Sequence, residues 1–120
     1  MPRAAVNRAL NVEEQALVNW LIANGIPDAK AYASQVPLLR VVGSCNCGCP
    51  TINFAVGTRH PEVSGPPRII ADFLGMTPAG LQVGVILFAT GEQISELEVY
   101  PLSDAEGKFS LPTIASLHPF

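Results

Sequence analysis

From residue 38 onward the chain consists of short apolar runs separated by turn-forming residues, and this spacing constrains the fold more than any other feature. The 120 residues include 10 glycines and 11 prolines, most of them outside the runs. Proline removes a donor from the β ladder, and glycine supplies the backbone freedom that tight turns require. Strand-sized runs with such short connections are typical of an antiparallel sheet.

The apolar runs predict a sheet of about five strands. The first two flank the turn at residues 45–50 and form a β-hairpin, in which Asn46 and Gly48 can take positive φ. The other three form an antiparallel meander whose middle strand is apolar on both faces, so we expect it to be central and covered on both sides. The predicted strands are residues 38–44, 51–56, 68–75, 82–90 and 94–100.

The first part of the chain has helical spacing instead. Residues 11–24 are predicted to form a helix capped by Asn11, with Gly25 in a left-handed conformation after its end. A second, shorter helix is expected from residue 27 or 28 to 35, with Pro37 stopping it. Together these elements predict a single α+β domain over residues 1–120, in which one or two N-terminal helices pack on the antiparallel sheet. Residues expected to face inward from the second helix are Ala29, Tyr32, Ala33 and Val36, and from the tail Leu111, Ile114 and Leu117.

Composition indicates a protein that functions by contact. Charged residues make up 14% of the chain, against about 25% for an average soluble protein. A small domain cannot bury every apolar side chain, so we predict a homodimer or another protein partner, unless neutral polar residues coat the surface. A net charge of −3 with scattered basic residues gives no footprint for nucleic acid. The longest apolar run is too short for a membrane span and no secretory signal is evident, so a cytoplasmic location is expected.

The densest chemical motif is the cysteine cluster Cys45, Cys47 and Cys49, which contains every cysteine of the chain. Three thiolates in five residues are a candidate metal site, although the second pair of a usual zinc site is missing. The fourth ligand would come from His60, which lies beyond the second strand of the hairpin, from His118 or from an acidic residue. Sulfur ligands of one tetrahedral ion lie roughly 3.8 Å apart, so only a tight turn can gather them. One-residue spacing also permits a disulfide, Cys45–Cys47 or Cys47–Cys49. In a reducing compartment three free thiols are the expected state.

Other candidate chemistry is sparse. Asp72 interrupts an apolar run, so it lies either on the solvent face of its strand or as a costly buried carboxylate. A small enzyme using Asp72 or a histidine therefore stays among the alternatives. No nucleophile elbow, phosphate loop or dinucleotide motif is present, and no cofactor or catalytic residue is predicted.

The segment Cys-Asn-Cys-Gly-Cys-Pro-Thr-Ile-Asn-Phe and the strand containing Leu97-Glu98-Val99-Tyr100 resemble a group of small uncharacterised bacterial proteins over roughly residues 38–119. That resemblance implies no activity. The leading hypothesis is a non-enzymatic bacterial interaction or regulatory protein, and the alternative is a thiolate metal-binding protein using Cys45, Cys47 and Cys49. The residues expected to form a contact surface are Ile86, Phe88, Glu96, Glu98 and Tyr100.

Overall fold

A six-stranded antiparallel sheet forms the body of the protein. The computed structural model describes residues 3–45, 47–60, 66–103 and 107–119. The order across the sheet is β1-β2-β3-β6-β5-β4, so β3 of the hairpin pairs with β6 of the meander. The predicted α+β class, the hairpin and the meander are confirmed. The strands are β1 Arg3–Ala9, β2 Leu39–Cys45, β3 Ile52–Val56, β4 Arg68–Met76, β5 Gln82–Thr90 and β6 Gln93–Pro101.

The prediction of about five strands is wrong by one, because β1 (Arg3–Ala9) was not expected. Alanine and arginine favour strands weakly, and Val6 is the one β-branched residue of the segment. The strand forms because it pairs antiparallel with β2, which would otherwise be an open edge. Arg8 also donates two hydrogen bonds, of 2.8 and 2.9 Å, to the carboxylate of Glu14 on the following helix.

Helix α1, Val12–Asn24, has the predicted cap. The Asn11 side chain accepts from the Glu14 backbone N–H, and the Glu14 carboxylate accepts from the Asn11 N–H, which is a complete capping box. Gly25 is extended (φ −79°, ψ −160°) instead of left-handed. A Cβ at this position would collide with the backbone carbonyl of Ile70, so glycine is required by the close approach of β4.

The second helical segment is a 3-10 helix, Pro27–Leu38, which includes Pro37 instead of ending before it. Ala29, Tyr32 and Val36 are buried, as predicted, whereas Ala33 is exposed. A 3-10 helix has three residues per turn, so the face defined by Ala29 and Tyr32 turns Ala33 outward.

In the tail, Leu111 and Leu117 pack on the core, but Ile114 is 38% exposed, contrary to expectation.

In the part of the chain that the structure describes, the sheet has one covered face and one open face. The core combines the apolar side of α1 and of the 3-10 segment with inward side chains of β2 to β6. Alternate side chains of β5 and β6 lie on the opposite face and are only half-buried, in keeping with the two-residue period of a strand. β5 lies between β4 and β6, as expected for an interior strand, but only one of its faces is covered, since Ile86 and Phe88 on its outer face are half-buried. Among the described residues, no helix is long and apolar enough to cross a bilayer.

Candidate metal centre at the cysteine turn

The three cysteines lie where the β2–β3 hairpin reverses. Cys45 is the last residue of β2, and its backbone N–H donates to the Thr51 carbonyl at 3.3 Å, closing the turn. Cys45 and Cys47 have their Cα atoms 5.4 Å apart and are joined by a disulfide, while Cys49 is a free, half-buried thiol. Three free thiols were expected, but the turn brings the first two within disulfide reach.

The sulfur atoms form one cluster. The Cys47 Sγ lies 2.9 Å from the Cys49 Sγ, and the Sγ atoms of all three cysteines lie within 4.8 Å of one another. Two backbone N–H groups point at the cluster: that of Cys47 donates to the Cys45 Sγ, and that of Cys49 to the Cys47 Sγ, each at 3.4 Å. Such donors stabilise negative charge on sulfur, as they do around metal-bound thiolates.

Contacts from the C-terminal tail hold the turn in shape. Gly48 has a positive φ of 99°, as predicted, and Asn46 lies outside the described residues. The Phe109 N–H donates to the Gly48 carbonyl at 3.3 Å, and a Cβ on Gly48 would lie 3.1 Å from the Gly107 carbonyl carbon. The turn is thus fixed by the hairpin on one side and by residues 107–109 on the other, a constraint that sequence reasoning missed because it spans about sixty residues.

A cavity of about 300 Å³ opens beside the sulfur atoms. Its walls include the cysteines together with Glu96, Glu98 and Tyr100 of β6. The buried Thr51 hydroxyl closes the gap between β3 and β6, since it donates to the Val99 carbonyl at 3.2 Å and accepts from the Val99 N–H at 2.9 Å. The cavity lining therefore includes both the three sulfur-bearing residues and two glutamates.

The expected contact residues share the open face of the sheet. In the β5–β6 register, Ile86 is opposite Glu98 and Phe88 is opposite Glu96. Glu96, Glu98 and Tyr100 also line the cysteine cavity, so three residues predicted for contact lie next to those predicted for metal binding. Alternation along the strand predicts their common face, but only the β3–β6 pairing brings that face beside the cysteines.

The open face also holds a shielded acidic group. Burial raises the pKa of Asp72, whose Oδ1 has no hydrogen-bond partner among the described residues. The Tyr100 ring lies over Gly84 on the intervening strand. Burial, and then the negative charges of Asp72 and Glu98, raise the pKa of the Tyr100 phenol. Asp72 is thus half-buried, which lies between the two predicted environments, the solvent face of the strand and a fully buried carboxylate.

The histidines lie apart from the sulfur cluster. His60 is exposed after β3. His118 bridges Leu74 on β4, at the far edge of the sheet from β2, and lines a separate cavity of about 190 Å³. Among the described residues, the cluster of potential metal ligands comprises only the three cysteines. The enzyme alternative using Asp72 or a histidine stays a prediction.

Comparison of the chain with known protein families, with curated proteins and with solved structures finds no match. The resemblance to small bacterial proteins therefore stays a prediction, and function is argued from the geometry of the site.

Proposed function

We propose that the reduced protein binds one thiophilic metal ion, Zn²⁺ or Cu⁺, through Cys45, Cys47 and Cys49. The observation that carries this proposal is the convergence of the three Sγ atoms within 4.8 Å of one another. Thiolate ligands of a single ion lie roughly 3.8 Å apart in a tetrahedral site. Reduction of the Cys45–Cys47 bond gives three donors that need only small side-chain movements to reach that spacing.

The surroundings favour a cation. Thiolates select soft and borderline ions such as Cu⁺ and Zn²⁺ over Mg²⁺ or Ca²⁺. The Glu98 carboxylate on the cavity wall adds negative charge near the sulfur atoms, which favours a bound cation. The backbone N–H groups of Cys47 and Cys49 supply the outer hydrogen bonds that tune bound thiolates. Phe109 and Gly48 hold the turn before any ion binds, which lowers the ordering cost of binding.

Metal titration of the reduced, untagged protein tests the proposal. We expect about one equivalent of Zn²⁺ or Cu⁺ per chain, with charge-transfer absorbance when Co²⁺ replaces Zn²⁺. Each single substitution Cys45→Ser, Cys47→Ser or Cys49→Ser should weaken binding at least about tenfold, since it removes a ligand. Glu98→Gln should weaken Zn²⁺ binding less, and the matched charge change Glu92→Gln in the exposed β5–β6 turn should not alter it. Binding of less than roughly one-tenth equivalent to each ion would refute the proposal.

A second candidate function is a protein contact made by the open face of the sheet. The observation that favours it is the shared placement of Ile86, Phe88, Glu96, Glu98 and Tyr100 on that face, with their side chains only half-buried. We infer that a second copy of the chain covers this face. Light scattering should give a dimer mass at micromolar concentration, and Phe88→Glu should give a folded monomer. A wild-type protein that is monomeric throughout this range would contradict the dimer.

A further inference from the structure

We propose that thiol oxidation controls the metal site: the Cys45–Cys47 disulfide is its closed state, and reduction opens it. This inference rests on the proposed metal binding. The three cysteines are the same in both states, so one cluster serves as ligand set and as redox centre. The structure holds the disulfide and the neighbouring free thiol of Cys49 together.

Cys47 occupies the central position in this chemistry. Its sulfur is bonded to that of Cys45 and lies 2.9 Å from that of Cys49. Its side chain is exposed, whereas those of Cys45 and Cys49 are half-buried. An external disulfide therefore meets Cys47 first, and either neighbour can then complete the reaction.

The oxidant is a low-molecular-weight disulfide, such as oxidised glutathione. The Cys47 thiolate attacks one sulfur of the oxidant, which forms a mixed disulfide and releases the first small thiolate. The Cys45 thiolate then attacks the Cys47 sulfur, which forms the Cys45–Cys47 bond and releases the second small thiolate. Two protein thiolates have lost two electrons, and the oxidant has become two thiolates, so atoms and electrons balance.

Disulfide formation removes the ion because a thiolate, not a disulfide sulfur, is the metal ligand. The oxidised cluster retains one thiol, Cys49. It can also exchange: attack of the Cys49 thiolate on the Cys47 sulfur gives the Cys47–Cys49 disulfide and frees Cys45. Both disulfides leave a single thiol, so neither can hold the ion with three thiolates.

The test starts from reduced protein loaded with one equivalent of Zn²⁺ and adds oxidised glutathione. Released Zn²⁺ is measured with a chromophoric chelator, and disulfides are mapped by mass spectrometry. We expect one Zn²⁺ released for each intramolecular disulfide, and rebinding after reduction. Retention of the ion by chains with a mapped Cys45–Cys47 disulfide would overturn redox control while leaving metal binding intact. Failure of the reduced protein to take up metal would overturn the proposed function itself.

Single cysteine substitutions in the reduced, metal-free protein separate the roles of the three sulfur atoms. Cys49→Ser should still form the Cys45–Cys47 disulfide, and Cys45→Ser should form Cys47–Cys49, each at a rate within about tenfold of wild type. Cys47→Ser should lose both, and its reaction with oxidised glutathione should stop at mixed disulfides. The Glu92→Gln control should oxidise as wild type does. Efficient formation of an intramolecular disulfide in Cys47→Ser would contradict the central position of Cys47.

Discussion

Replacement of Asp72 by asparagine tests whether a shielded carboxylate oxygen weakens the fold at neutral pH. Asp72 lies on β4 opposite Ile86. Its Oδ1 is buried without a hydrogen-bond partner in the described part of the chain, and burial raises its pKa. Asparagine has nearly the same shape as a protonated aspartic acid but carries no charge, so the substitution removes the part of the desolvation cost that belongs to the charge and keeps a polar group at the site.

The structure sets the size of the effect. An unsatisfied buried polar group costs about 1–3 kcal/mol, and more when it is charged. Because asparagine removes only the charge and the rest of this side chain is half-buried, we take the lower end. Asp72→Asn should therefore increase the free energy of unfolding by about 1 kcal/mol at pH 7, which is about 3–5 °C in Tm for a chain of this length.

The pH dependence follows from the direction of the pKa shift. Below the ordinary pKa of 3.8, both the folded and the unfolded chain carry a protonated Asp72, and the cost is absent. Between 3.8 and the raised folded-state pKa the folded chain binds more protons, so stability falls as pH rises. Above the folded-state pKa the full cost applies. The advantage of Asp72→Asn should thus be present at pH 7 and vanish near pH 3.

Urea unfolding of wild type and Asp72→Asn at several pH values between about 3 and 7 measures this difference. Glu92→Gln removes the same formal charge from an exposed position and should change the free energy of unfolding by less than about 0.5 kcal/mol. An Asp72→Asn variant that is less stable than wild type at pH 7 would refute the reasoning. So would a stability advantage of the variant that is as large at pH 3 as at pH 7.

Two further substitutions test contacts that position the sheet. Gly84→Ala places a methyl group in the Tyr100 ring and should lower the free energy of unfolding by about 1–3 kcal/mol. In the Tyr100→Ala background, Gly84→Ala should lower it much less. Equal losses in the two backgrounds would contradict the contact. Arg8→Met should cost about 1 kcal/mol at pH 7, since Arg8 is partly exposed. Burial alone would raise the pKa of Glu14, but hydrogen bonds from Arg8 and Asn11 outweigh burial and lower that pKa. The stability that the pair contributes is therefore present above the ordinary pKa of 4.5. It is lost as pH falls through the folded-state pKa. Urea unfolding at pH 7 and pH 3 should show a smaller cost of Arg8→Met at the lower pH.

Local patterns predicted most elements because the forces that form them act between near neighbours. The Asn11 cap and the following helix, the hairpin around the cysteines and the meander all depend on spacing within a few residues. Strand β1 was missed because its pairing with β2, about thirty-five residues away, supplies what its weak strand propensity lacks. Gly25 was misread for the same reason, since the carbonyl that excludes a Cβ belongs to β4.

For the site, the sequence by itself determined the donor atoms: three cysteines within five residues, and glutamates that alternate along one face of a strand. The tertiary structure decided that β3 pairs with β6, which brings Glu96, Glu98 and Tyr100 to the wall beside the sulfurs. It also decided that the tail at Phe109 supports the turn. Spacing along a chain fixes which side chains share a face. Strand order depends on burying the apolar surface of all the elements together, and a local sequence pattern carries no information about those long-range contacts.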